Sequence, residues 1–483
     1  MTRWRLSLLG ALSLSMAGCS LYDVQTPIRP DVYVSDQWDG PLTGTAEVDR
    51  WWTAFGDARL DEYVQQALQH NQSLRQSWAR MAQAAAQAGI AAAPLLPDVN
   101  LRTTQARRTM VHYNRDDTFA VAGTDYDTNV VVGLGLSWEI DIWRRIHNTA
   151  QAAVLSAEAS RADVDATALA LSGQVSDTWF TIRAQSELLG VLREQVRVSE
   201  ALLKSVEFRY ANGLGTALQV LQQRQQLEAV RARVPIVEAR FNTAWNAMAT
   251  LLGRAPQDLP PTVVEASLPG LPAFPDLGAP ADLLLRRPDL RARQRLLASA
   301  DHSTAAAVAA MLPAIRFTLD ADLHYGQWGG PILANSASIG GSLFQPVFDA
   351  DRRGLEVIRR EAIVEERLAA FADTFLLATR EVADAVEQEF WQLELLREIR
   401  LQTDIARSQL TEAHLQYTEG VAEYLDVISA IQTLQALQRQ DVEARRQLLV
   451  FRANLYLALG GRWMDALEPP IMAGDSETRE ASL

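Results

Sequence analysis

The sequence predicts a mainly α fold with a smaller β part, built as a duplicated helix–strand–strand–helix repeat. Three observations carry this. The two halves of the 483-residue chain match each other in order, and a repeat dictates architecture before local detail does. Each half holds a proline-free stretch, Pro97 to Pro235 and Pro346 to Pro469, far longer than an ordinary helix needs. Between the helical stretches lie short segments in which apolar and polar residues alternate, the period of a strand.

Composition narrows the function classes. With 45 basic against 59 acidic side chains and a formal charge of −14, the chain lacks the basic face that a nucleic-acid partner requires. The single cysteine, Cys19, excludes an intramolecular disulfide and a thiolate zinc cluster. None of the six histidines is paired at the spacing of a metalloprotease helix, and no Gly-rich phosphate loop or nucleophile elbow occurs. The expectation is a protein that is not an enzyme and carries neither metal nor cofactor.

Residues 1–18 read as a signal peptide: Arg3 and Arg5, an apolar run from Leu6 to Met16, then small residues. That run is too short to span a bilayer. Ser15-Met16-Ala17-Gly18-Cys19 resembles a bacterial lipobox, with Met16 where leucine is commonest. Cys19 is then the lipid attachment residue, and Ser20 behind it allows sorting to the outer membrane. An uncut N-terminal anchor is the alternative.

The duplication can be followed residue by residue. Leu74-Arg75 matches Leu290-Arg291, Leu96-Pro97 matches Leu312-Pro313, and Asp141 with Arg144-Arg145 matches Asp349 with Arg352-Arg353. Further on, Tyr210, Gly213, Leu218, Val220 and Gln225 match Tyr417, Gly420, Leu425, Val427 and Gln432. The repeats are placed at 57–254 and 281–461. A linker, 255–280, holds seven prolines, too many for a helix or a central strand. Residues 19–56 precede the repeats, and a polar tail, 462–483, follows them.

Each half opens with a helical stretch, Asp57 to Ala93 and Asp282 to Met311, with Asp57 and Asp282 as helix caps. Strands are expected at 98–107, 129–138, 314–325 and 336–345. Two very long helices then form a hairpin whose tips lie near 211–217 and 418–424, with Gly213 and Gly420 as C-caps. Leu368, Phe371, Phe375, Val382 and Val386 recur as a coiled-coil seam does. The rods alone also fit a fibrous spacer.

The strands bear on that choice. In Ala314–Tyr325, Ile315, Phe317, Leu319, Ala321, Leu323 and Tyr325 oppose Arg316, Thr318, Asp320, Asp322 and His324. One apolar and one charged face over about ten residues fits a transmembrane strand with lipid outside and water inside. Trp138, Tyr325 and Trp328 lie at strand ends, where an aromatic girdle sits. A soluble antiparallel sheet alternates too, but the signal segment and lipobox favour the membrane. Four strands cannot close a barrel, because open edges are unsatisfied in lipid. Three copies supply twelve, so a homotrimer sharing one transmembrane β-barrel is expected.

Four motifs carry a resemblance: Leu136-Ser-Trp-Glu-Ile-Asp-Ile-Trp-Arg-Arg145, Leu284-Leu-Arg-Arg-Pro-Asp-Leu290, Gly341-Ser-Leu-Phe-Gln-Pro-Val-Phe-Asp349 and Tyr417-Thr-Glu-Gly-Val-Ala-Glu-Tyr-Leu-Asp-Val427. With the duplication they make the chain similar to the TolC-type outer membrane factor family, in its acylated NodT/OprM-like branch. The resemblance implies a trimer with a twelve-stranded barrel joined to a long periplasmic α-helical barrel, and an equatorial belt built from the termini and linker. It implies the exit duct of a tripartite efflux pump for drugs and small toxic molecules. Partners would be a periplasmic adaptor, an inner-membrane transporter of RND or other type, and outer-membrane lipid.

By the same resemblance Leu425 stands at an apolar constriction of the periplasmic gate. Ser429 and Gln432 replace an aspartate and an arginine of the branch, which weakens any electrostatic lock, and Asp426 is a substitute. Gly213, Gly215 and Gly420 mark the tips that would meet the adaptor. Rival readings are a duct for protein (type I) secretion and a non-channel periplasmic adaptor lipoprotein. Glu139 and Asp141 resemble a hydrolase pair or, more commonly, helix-start acids; Arg286, Arg287 and Asp289 suggest a structural ion-pair cluster.

Overall fold

The structure, a computed structural model, describes residues 49–113, 121–262, 267–325 and 332–469, with positions 22, 24, 37, 38 and 44 before them. The expected signal peptide, Cys19, Trp328 and the tail beyond 469 lie outside the described residues. The chain divides into two compact units, one drawn mainly from Met81–Ser160 and Arg293–Phe371, the other from Asp31–Arg80, Arg161–Ala292 and Ala372–Leu483.

Helices α1 (Ala58–His70) and α2 (Gln72–Ala92) lead into strands β1 (Asp98–Tyr113) and β2 (Val121–Ile140). Then come α3 (Arg145–Ala211), α4 (Ala217–Arg231) and α5 (Val234–Leu251). The second half repeats the order: a single turn at Leu283–Arg286, α6 (Pro288–Ala309), β3 (Ala314–Tyr325), β4 (Ile332–Phe344), α7 (Arg352–Thr418) and α8 (Tyr424–Leu459). Helices α3 and α7 have 67 residues each, roughly 100 Å of helix.

Several expectations are corrected. The stretch from Asp57 is two helices, because Asn71 is extended and its Oδ1 accepts from Ser73 N and Leu74 N, starting a new helix. Asp57 does cap α1, accepting from Arg59 N and Leu60 N. Asp282 stands at the N-cap of the single turn Leu283–Arg286, but its side chain makes no capping bond to that turn. Its Oδ2 accepts from Ala279 N instead, and the main helix begins at Pro288, where a missing N–H costs nothing. The first return helix breaks after Arg231 and restarts with Pro235 in its first turn. Three strands differ from their expected bounds of 98–107, 129–138 and 336–345. Ladder pairing carries β1 to Tyr113, β2 back to Val121 and β4 back to Ile332, past the clean alternation.

The strands form one antiparallel sheet in the order β1-β2-β3-β4. In register, Val99, Leu136, Leu319 and Ile339 stand side by side on one face, as do Leu101, Leu134, Ala321 and Ala337. On the other face Asn100, Gly135, Asp320 and Ser338 align, as do Arg102, Gly133, Asp322 and Ser336.

The second unit has an aromatic core. Trp51 stacks on Tyr456 with centroids 5.8 Å apart, and Tyr63 meets Trp179 at 5.1 Å. Asp57 anchors it from within, accepting from Trp179 Nε1 at 2.7 Å and pairing with Arg183. Of the expected seam on α7, Phe371, Phe375, Val382 and Val386 are buried and Leu368 is half-buried.

Candidate functional site

Two regions hold the features a conduit needs. The first is the sheet. Its apolar face leaves Val99, Leu101, Leu134, Leu319 and Ile339 exposed, Leu101 by 76%. So wide an apolar band marks a contact with lipid or protein. The opposite face is polar, and glycines on β2 shape it. Arg102 reaches Asp322 at 3.5 Å across the middle strand, where Gly133 stands between them. A Cβ on Gly133 would fall 2.0 Å from Asp322 Oδ1. Trp138 is half-buried and its indole donates to Leu95 O at 3.0 Å; Tyr325 is half-buried at the far end of β3.

At the strand-to-helix junctions the hydrolase reading of Glu139 and Asp141 gives way to a structural one. Asp141 accepts from Ile146 N and His147 N at the start of α3, and Glu139 pairs with Arg145 at 2.6 Å. The chain turns there through a left-handed Arg144, and in the second half through Ala350 and Asp351. Asp349 pairs with Arg353 at 2.8 Å. Among the described residues no group of three or more His, Cys, Asp or Glu is placed to hold a metal ion.

The second region is the pair of hairpin tips. Gly213 and Gly420 are left-handed, with φ of 73° and 77°. Leu214 N donates to Arg209 O and Val421 N to Gln416 O, the same helix-ending motif twice. Gly215 is not left-handed; it lies beside Thr216, which caps α4 reciprocally with Gln219. Behind the tips Val206, Val220, Tyr424, Val427, Ile428 and Ile431 form a buried cluster from α3, α4 and α8. Arg209 covers the Tyr417 ring at 4.9 Å.

Leu425, Ser429 and Gln432 share one face of α8 and are exposed, Leu425 by 55%. Asp426 serves its own helix, its Oδ2 accepting from Glu423 N at 3.2 Å in the first turn of α8. Gln432 is not isolated either. It donates to Gln226 Oε1 at 2.8 Å, Gln226 donates to Gln435 Oε1 at 3.1 Å, and Gln195 donates to Gln435 O at 3.2 Å. Tyr424 donates to Gln223 Oε1 at 2.8 Å, and burial holds its phenol above the ordinary tyrosine value. These amides tie α3, α4 and α8, and Arg439 Nη1 on α8 adds a charged donor by bonding Gln195 Oε1 at 2.9 Å. Sequence reasoning missed them, although the glutamine-rich stretch 222–226, interrupted only by Arg224, on a helix with a buried face was the available signal.

The outer membrane efflux protein family profile matches residues 63–254 and 279–461. The chain belongs to that family, and it is the outer-membrane exit duct of an efflux system. It is 31% identical to the pyoverdine export outer membrane protein OpmQ of Pseudomonas putida, over 94% of this chain and 96% of that one. Identity to the toluene efflux pump outer membrane protein TtgF of the same species is 28%, over 96% and 98%. The outer-membrane channel OprN superposes with a TM-score of 0.83 at 25% identity, covering 92% of this chain and all of that one.

Proposed function

We propose that three copies of this chain close one twelve-stranded barrel and form the exit duct of a tripartite pump. One observation carries the reading. The described sheet is an antiparallel meander with one apolar and one polar face, and its edge strands β1 and β4 each pair on one side only. An exposed edge in lipid is costly, and β4 of one copy beside β1 of the next stays antiparallel and removes it. The polar face then lines water and the apolar face meets lipid, with Trp138, Tyr325 and Trp328 as the girdle.

The duct works passively; an inner-membrane transporter, of RND or other type, supplies the energy and a periplasmic adaptor couples the two. The adaptor contacts the tips around Gly213, Gly215 and Gly420, and Leu425 narrows the closed gate beside Ser429 and Gln432. Cys19 carries the lipid that anchors the mature chain. The cargo is small toxic molecules or drugs, in keeping with relatives named for export of pyoverdine and efflux of toluene. The test is the protein mass of the detergent-extracted particle by light scattering, followed by conductance in a planar bilayer. A particle of three chain masses that conducts supports the duct; a stable monomer overturns it.

A further inference from the structure

The break between α1 and α2 opens onto a cavity of about 1130 Å³ in the second unit. Its apolar wall is Leu68, Leu252, Leu467, Trp52 and Trp463. Arg50, Arg75 and Arg254 also line it, with His70 and one acid, Glu468. The three arginines are exposed, and none has a carboxylate partner among the described residues, unlike Arg231, Arg291, Arg445 and Arg452. Arg75 has only a long bond to Gln72 Oε1, 3.4 Å. Trp52 and Trp463 meet edge to face at 4.8 Å, both more than nine-tenths buried, and neither indole N–H has an acceptor.

The cavity therefore offers cations and an apolar floor, with little of its own to neutralise them. We infer that it is a docking site for an acidic peptide segment of a partner protein, whose carboxylates meet Arg50, Arg75 and Arg254 and whose apolar side chain lies on the partly exposed Leu68 and Leu467. Guanidinium forks suit carboxylates, and the volume exceeds what most small ligands fill, which is about 300–1,000 Å³. Roughly 50 Å of helix along α4 and α5 separates Leu252 from the tip at Gly213. The site is thus a second contact level, apart from the proposed adaptor contact at the tips.

The experiment uses the full chain in detergent and a fluorescein-labelled peptide of alternating glutamate and leucine, followed by fluorescence anisotropy. Saturable binding is expected, weakened at least tenfold in the double variant Arg75→Gln/Arg254→Gln and by raising the salt, with a lysine–leucine peptide inert. Both substitutions are on the surface and break no ion pair, so the variant's melting temperature should match the parent's. Equal affinity in the double variant, or binding of the lysine peptide, overturns the site. Binding that emerges only once residues 470–483 are deleted overturns the partner in favour of the chain's own acidic tail.

Discussion

Asn71 and Arg287 hold equivalent places in the two halves and make the same tie with different chemistry. Asn71 Nδ2 donates to Leu251 O at 2.9 Å, and Arg287 Nη1 donates to Ala458 O at 3.1 Å. Each fastens the break after the first helical stretch to the end of the return helix. A left-handed glycine follows that helix in both cases. A Cβ would come within 2.3 Å of His70 O from Gly253, and within 2.6 Å of Arg286 O from Gly460. Asn71→Ala loses a cap and a tie and should cost about 1–2 kcal/mol. Arg287→Gln should cost more, since Glu381 and Asp289 lose their cation. Melting temperatures of the purified protein check both, and two unchanged values would refute the shared tie.

A second prediction concerns the linker. Arg452 and Glu389 form a buried pair, 2% and 0% exposed, and Arg452 also donates to Ala273 O at 2.7 Å. One side chain thus binds the Pro-rich connection to the hairpin. Arg452→Met should destabilise by about 3–5 kcal/mol by stranding a buried carboxylate, and adding Glu389→Leu should restore much of that. A double variant as unstable as the single one would mean the linker carbonyls, not the carboxylate, are the cause.

The repeat, the strands and the rods were legible because each rests on a periodic signal or a proline gap many residues long. The breaks were not. At Asn71 a polar side chain competes with the backbone and starts a new helix, which hydropathy does not register. At 231–234 Pro235 gave a warning that the matching, unbroken α8 concealed. The gate positions came only from resemblance. Of their glutamine partners only the glutamine-rich stretch 222–226 left a local trace; the pairing that buries Gln226 and Gln435 is a contact made across two helices, which no local pattern records.

Acidity should act on Asp165. It lies 2.9 Å from Arg291 and 3.3 Å from Arg161, yet burial outweighs both and pushes its carboxyl up to about 6. The folded chain takes up this proton near pH 6, whereas the unfolded chain waits until about 4. Between those values the folded state binds more protons, so this group's contribution falls as pH rises and levels off above the folded value. The melting temperature of the parent relative to Asp165→Asn should therefore decline from about pH 4.5 to 6.5. A difference that stays flat would show that the buried carboxyl is not raised.

At the proposed gate, Leu425→Ala should raise closed-state conductance in a planar bilayer, because three leucines at one level lose most of their bulk together. Gln226→Leu, which cuts the amide chain to Gln432 and Gln435, should raise the frequency of opening with less effect on the closed baseline. Closed-state currents identical to the parent in Leu425→Ala would place the constriction elsewhere.

The sheet offers the sharpest contrast between two glycines two residues apart. At Gly133 an added Cβ would lie 2.0 Å from Asp322 Oδ1, and at Gly135 it would lie 3.1 Å from Asp320 Oδ1. Only the first glycine stands between ion-paired residues, Arg102 and Asp322. Gly133→Ala must swing Asp322 off Arg102, and the displaced carboxylate loses its cation on the face proposed to line water. Gly135→Ala needs a shift of a few tenths of an ångström, and Asp320 can make it without leaving a cation behind. The expected result is a lower yield of heat-resistant oligomer for Gly133→Ala, with Gly135→Ala close to the parent. Combining Gly133→Ala with Asp322→Ser should recover assembly, since the smaller side chain clears the space. Failure of that rescue would assign the glycine to strand curvature instead of to the passage of the ion pair.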